Sequence, residues 1–132
     1  MHSDSAYNAL EESAKGKENA LKVMDEPCDV GVAFRHPTLG HISLLYGDRE
    51  KGIRHILSRR EREIADNPNL DGQVPRDVVL KLIDVIIFGK MSRSGAKCII
   101  EHDGYLAILA SPSGNQMNYW LLSGYKLHRK AK

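Results

Sequence analysis

The sequence is short of cysteine, aromatic rings and long apolar runs, and each shortage removes a class of function. Two cysteines in 132 residues, Cys28 and Cys98, make neither a disulfide framework nor a metal-ligand spacing. An aromatic content of 6% argues against a broad base-stacking platform. No apolar run approaches the length of a membrane helix. The opening Met1-His2-Ser3-Asp4-Ser5-Ala6 lacks the cationic and apolar regions of a secretory signal. There is no phosphate-binding glycine loop, dinucleotide fingerprint, EF-hand loop, zinc spacing or nucleophile elbow. The expectation is a cytoplasmic protein of one domain, with no metal, no cofactor and no membrane contact.

Charge is present but unevenly placed. Residues 1–29 hold three lysines against seven acidic residues. The rest holds 16 cationic side chains against 10 acidic ones, an excess of six. A basic body of this kind favours a polyanionic partner such as RNA.

That body is organised around one stretch, residues 48–66, which reads as a helix. Ile53, Ile56, Leu57 and Ile64 recur at helical spacing and predict a core-facing stripe. His55, Ser58, Arg59 and Arg62 fall on a second stripe. An imidazole that exchanges protons near neutral pH, set among permanent cations, suits a phosphodiester substrate. Gly52 sits inside this pattern, where it costs about 1 kcal/mol relative to Ala. Close approach by another backbone or by a ligand would account for it.

Residues 3–24 read as an acidic helix capped by Ser3 or Ser5, with a thin apolar stripe interrupted by Gly16. It is expected to be a surface appendage, or else an acidic arm that covers a basic site or docks another protein, such as an inhibitor. Residues 29–35 and 41–46 alternate as two strands around the His36–Gly40 turn, with Val30, Val32 and Phe34 on one face. Pro75 opens a strongly apolar helix through Phe88, and Gly89 closes it. Residues 90–95 read as a cationic loop. Strands at 96–102 and 105–111 are joined by Asp103-Gly104, a two-residue hairpin signal. A last strand runs over 116–127, apolar on both faces at Tyr119–Leu122, and a basic tail follows. The order predicts an α+β fold: an N-terminal acidic helix over 1–28, then helices packed on a mainly antiparallel sheet of about five strands over 29–132.

RNA cleavage without a metal needs a proton acceptor for the ribose 2′-OH, cations or donors for the phosphate oxygens, and a proton for the leaving 5′-oxygen. His55 meets the first need. Arg59, Arg60, Lys90 and Arg93 meet the second, and Ser123 and Tyr125 can hydrogen-bond the phosphate. The alternation of arginines with Glu61 and Glu63 is also how a solvated face looks.

Leu39-Gly40-His41-Ile42-Ser43-Leu44-Leu45-Tyr46-Gly47-Asp48, then Lys51-Gly52-Ile53-Arg54-His55-Ile56-Leu57, and finally Asn118-Tyr119-Trp120-Leu121-Leu122-Ser123-Gly124-Tyr125 together resemble a known family. It is that of the phage-associated nucleases of the barnase–EndoU–colicin E5/D–RelE-like superfamily. The resemblance spans about residues 30–127. It implies a helix-plus-antiparallel-sheet fold and a metal-independent ribonuclease, and the whole sequence is then read as a small endoribonuclease, a phage or mobile-element effector or toxin with tRNA or rRNA as its expected partner. It places His55 on the family's helical histidine, Ser123 on a strand hydroxyl that is more usually Thr, and Tyr125 on the strand's terminal aromatic. Asp48 matches the acid after the glycine. Tyr46 stands where the family usually has Trp. Arg59 and Arg60 fall where it often has Lys, Arg or a second His. The alternative is a non-catalytic module of the same fold that binds RNA or protein.

Overall fold

The most apolar stretch of the chain determines where the core lies. In the computed structural model, which describes residues 7–67, 74–111 and 118–127, Pro75–Phe88 is a helix (α3) that buries Val78, Val79, Leu82, Ile83, Val85, Ile86 and Ile87. Proline in its first turn supplies no N–H that the helix would need. Gly89 ends it, because a Cβ there would come within 2.7 Å of the Glu101 carbonyl and 2.6 Å of Ile100. The other elements are α1 (Ala9–Asp25), β1 (Val30–His36), β2 (Gly40–Leu44), α2 (Ile53–Asp66), β3 (Lys90–Ser94), β4 (Lys97–His102), β5 (Tyr105–Ala110) and β6 (Asn118–Lys126). The fold is α+β, with six strands in the order β1-β2-β6-β5-β4-β3. All pairings are antiparallel except β2 with β6, which is parallel.

The sixth strand is β3, the stretch read from the sequence as a loop. It is an edge strand paired only with β4, and all but Met91 of its residues are exposed. Such a strand has no buried face, so it shows no alternation of apolar and polar residues.

The first helix is no surface arm. Gly16 lies against Phe34 and Ile83, where a Cβ would come within 2.8 Å and 2.7 Å of them. The stripe is thin in sequence because its centre is a glycine contact. Ala20 and Val23 are fully buried beside it. Glu12 is buried and accepts from the Arg35 backbone N–H at 2.7 Å, and Ser13 donates to Asp84 at 2.6 Å. The helix cap is Asn8, whose side chain accepts from the N–H groups of Leu10 and Glu11. Ser3 and Ser5, the expected caps, lie outside the described residues.

In β1 the expected alternation breaks. The register shifts between Val30 and Phe34, and Val32 takes a φ of 51° and is exposed while Ala33 and Phe34 are both buried. Between these pairs three residues of β1, Gly31 to Ala33, lie opposite Ser43 alone, and extra residues in one strand interrupt its alternation in this way.

The two faces of the sheet differ. Leu82 presses onto Gly124, where a Cβ would lie 2.4 Å from its Cδ1, so this face of β6 meets α3. Ser123 and Tyr125, on either side of Gly124, point the other way. There they join cross-strand rows. Tyr125 pairs with Leu106, Leu106 with Glu101 and Glu101 with Lys90; Ser123 pairs with Ile108, Ile108 with Ile99 and Ile99 with Ser92. Lys90, Ser92 and Glu101 are exposed, and Ile99, Leu106, Ile108, Trp120 and Tyr125 are only half-buried. The middle of β6 is thus covered on one face, not on both as its sequence suggests.

Candidate active site

The site begins at the junction of β2 with β6. The two strands run parallel until Leu44 pairs with Leu121, after which β2 ends. The chain turns through residues 45–52 and enters α2 beside β6. Asp48 organises the turn: its carboxylate accepts from the N–H groups of Glu50 and Lys51 at 2.8 and 3.1 Å. These bonds, that to Glu50 first, hold its pKa below the usual carboxylate range, so it stays anionic. It caps the turn, and the N-cap of α2 is Gly52 instead.

Gly52 is where backbones converge. Its φ is +92°, and a Cβ there would come within 2.8 Å of the Tyr46 carbonyl and 2.9 Å of the Leu45 carbonyl. Its N–H donates to the Leu122 carbonyl of β6 at 2.7 Å, and those of Ile53 and Arg54 donate to Leu45 and Tyr46 at 2.8 Å. The first N–H groups of α2, which a helix leaves unpaired, are thus spent on strand carbonyls. This fixes the height and rotation of α2 relative to β6, and with them the next turn, which carries His55.

His55 is half-buried. Its Nδ1 lies 2.9 Å from the Arg49 carbonyl oxygen and its Nε2 lies 3.1 Å from Ser123 Oγ. A carbonyl only accepts, so Nδ1 carries the proton in the neutral ring and Nε2 offers its lone pair. The Ser123 hydroxyl then donates to Nε2. Protonation at Nε2 reverses that bond, and Nε2–H donates to Ser123. The ring is held in the tautomer that takes up and gives back a proton on the side of the exposed sheet face.

One turn further along, Arg59 lies with its guanidinium carbon 4.0 Å from the centre of the Tyr125 ring and its Nε 3.7 Å from the Glu63 carboxylate. Stacking on an aromatic face and pairing at i,i+4 both restrain a long side chain. His55, Arg59, Arg62, Glu63 and Asp66 line a groove of about 330 Å³. His55, Ser123, Arg59 and Tyr125 therefore form one cluster on two elements.

The other three candidates do not join it. Arg60 is 2% exposed and pairs with Glu63 at 3.1 Å. It follows Ile53 and Ile56 by seven and four residues, so it lies on their buried stripe and cannot meet a substrate. Lys90 shares the exposed sheet face but stands three strands from Tyr125, about 14 Å at the usual strand spacing. Arg93 is three residues beyond Lys90 and so faces the other way. It pairs with buried Cys98 and donates to the Tyr119 hydroxyl at 3.1 Å, away from His55.

Two participants were missed in the sequence. The Arg49 carbonyl that fixes the imidazole tautomer is a backbone group and leaves no residue-type signal. Glu63, which braces both Arg59 and Arg60, was visible in its i,i+4 and i,i+3 spacings but reads equally as part of a solvated face. Among the described residues, no three of His, Cys, Asp or Glu gather as a metal site would require.

An imidazole held at both ring nitrogens beside a restrained arginine, at the margin of an exposed sheet face, is an arrangement a nuclease can use. The family comparison agrees. Residues 33–131, three quarters of the chain, match the phage-Barnase-EndoU-ColicinE5/D-RelE like nuclease 1 family, and the chain belongs to it. The match leaves out α1 and the start of β1. No curated protein matches the chain.

Proposed function

We infer that this protein is a metal-independent endoribonuclease, a phage or mobile-element effector acting on RNA in the cytoplasm. The observation that carries this reading is the setting of His55: Nδ1 on the Arg49 carbonyl, Nε2 on Ser123 Oγ, and Arg59 braced over Tyr125 one helical turn away.

In this reading a ribose 2′-OH enters the groove and His55 Nε2 takes its proton. The 2′-oxygen attacks the neighbouring phosphorus while the bond from phosphorus to the 5′-oxygen breaks. The 5′-oxygen leaves with a proton from water, and the products are a 2′,3′-cyclic phosphate and a 5′-hydroxyl. The imidazolium returns its proton to solvent. Arg59 and Arg62 stabilise the charge that builds on the phosphate oxygens, the larger effect in many such reactions. Ser123, once Nε2 is occupied, donates to a phosphate oxygen. Tyr125 keeps Arg59 extended toward the groove.

The test is incubation of wild type and His55→Ala with total tRNA and rRNA in EDTA. Wild type should cleave and leave cyclic phosphate ends. His55→Ala should lose roughly 10²-fold or more in rate, while its affinity for RNA stays within a few fold. Binding without cleavage by the wild type would instead make the chain an RNA-binding module. Cleavage that persists in His55→Ala, or that needs a divalent metal, would overturn the mechanism.

A further inference from the structure

The exposed sheet face does not stop at the His55 cluster. Its outermost row runs Tyr125, Leu106, Glu101, Lys90, and at its far end it opens into a larger groove of about 620 Å³. The groove wraps around the open edge of the sheet: Lys90, Ser92, Ile99 and Glu101 line it from the exposed face, Phe88, Met91 and His102 from the side of α3, and Asp103 stands at its rim. Phe88 ends a helix whose other apolar side chains are mostly buried, yet it is 44% exposed. It lies beside His102, with ring centroids 6.4 Å apart and planes inclined at 42°. The tight contact of Gly89 with β4 sets it there, since nothing larger fits between the end of α3 and Glu101.

Resting on the ribonuclease reading, we propose that this groove is a nucleobase subsite for the same RNA strand. One base of the substrate stacks on Phe88 at the His102 edge, and Lys90 meets its phosphate. The chemistry of the walls favours a base over a bare phosphate. Flat apolar rings suit the π-face of a base, and the Glu101 carboxylate accepts from base N–H groups but repels an anion. The row from Tyr125 to Lys90 crosses three strand spacings, about 14 Å. An extended strand anchored at His55 spans that distance with a few nucleotides, whereas a dinucleotide cut at His55 cannot reach it. The subsite thus makes binding depend on the length of the RNA, without any part in the bond-breaking step.

The experiment compares a dinucleotide and a decanucleotide as substrates for wild type, Phe88→Ala, Phe88→Trp and Lys90→Ala. For the decanucleotide, Phe88→Ala should raise KM about ten-fold, the loss of one base stack, at unchanged kcat. Phe88→Trp should restore it, Lys90→Ala should raise KM by a smaller factor, and no variant should alter dinucleotide cleavage. A second arm measures binding of the decanucleotide to His55→Ala protein by fluorescence anisotropy, with and without Phe88→Ala, and should show the same ten-fold loss. Equal effects on both lengths, or none on either with unaltered binding, would overturn the subsite. A wild type that cleaves neither length counts against the ribonuclease reading alone, and the anisotropy arm still decides the groove.

Discussion

Gly52→Ala puts one methyl group where the structure is least able to accept it, and its cost can be built up from separate contacts. The residue has a φ of +92° and a ψ of −173°, a region that only glycine occupies freely. Forcing an L side chain to stay there costs about 1–3 kcal/mol. The added Cβ would meet Gly47 Cα and the Tyr46 carbonyl at 2.8 Å and the Leu45 carbonyl at 2.9 Å. All three are backbone atoms, so no side chain can rotate aside, and overpacking adds about 1–3 kcal/mol. Relief by moving the helix start would stretch the bonds from Gly52 to Leu122 and from Ile53 to Leu45, each worth about 1 kcal/mol. The expected total is about 3 kcal/mol or more, a large part of a typical stability of about 5–15 kcal/mol. Because these contacts set His55 against Ser123, cleavage should fall as well, even under conditions where the variant is folded. The assay is urea denaturation of wild type, Gly52→Ala and Gly31→Ala. Gly31 has no heavy atom within 4 Å of an added Cβ, so its variant should change by no more than about 0.5 kcal/mol. A Gly52→Ala unfolding free energy within about 1 kcal/mol of wild type at equal slope would refute the view that α2 is fixed by this approach.

The same geometry makes further predictions. Arg59→Ala should lower the cleavage rate by about 10² at little cost in stability, whereas Arg60→Met should leave cleavage of the folded protein within a few fold but cost stability, because it removes one partner of a buried pair and leaves the Glu63 carboxylate behind; parallel rate and denaturation measurements on the two variants separate the two roles. Arg93→Ala should bind and cleave RNA like wild type, since Arg93 is engaged with Tyr119 on the other side of the sheet. His36 should make the fold less stable in acid. Burial lowers its pKa from 6.5, and its Nδ1 accepts from the N–H groups of Thr38 and Leu39. Below pH 6.5 the unfolded chain therefore binds a proton that the folded chain refuses, so stability falls as pH drops until the folded pKa is reached. The slope is at most about 1.4 kcal/mol per pH unit. Denaturation at stepped pH should show this, and His36→Asn, whose oxygen can accept the same two bonds, should flatten it.

How far the sequence could be read depends on which rule each residue obeys. Helical and strand periodicities are local, and they placed α2, α3, β4, β5 and β6 close to where they lie. Where a buried position is filled by something other than an apolar side chain, periodicity is silent. Gly16 is a contact between α1, Phe34 and Ile83, so α1 looked like a polar arm. Arg60 sits in the buried stripe of α2, so it looked like its exposed neighbours. β3 has no buried face, so it looked like a loop. The separation of Lys90 from Arg93 follows from the two-residue period of a strand, but only once that stretch is known to be one. The meeting of His55 with Ser123 rests on the parallel pairing of β2 with β6, a relation between partners as distant in the chain as Ser43 and Trp120 that no local pattern contains.

That parallel pair also explains why the groove forms at this point on the sheet. Every other neighbour in the sheet is antiparallel, and most are joined by short turns that leave no room for a helix between them. Where β2 stops at Leu44 beside a β6 that continues to Lys126, the Leu122 carbonyl would lose its neighbour. The N–H of Gly52 takes that place at 2.7 Å, so the first turn of α2 completes the sheet. A helix docked end-on to a sheet margin must present one side to the core and the other to the rim of the exposed face. Ile53 and Ile56 occupy the first and His55 and Arg59 the second, and Ser123 and Tyr125 lie opposite the latter on the strand that the helix extends. An imidazole and a guanidinium are thereby held at the boundary between a buried core and an open surface, where, in the ribonuclease reading, an RNA strand lying across the sheet would reach both.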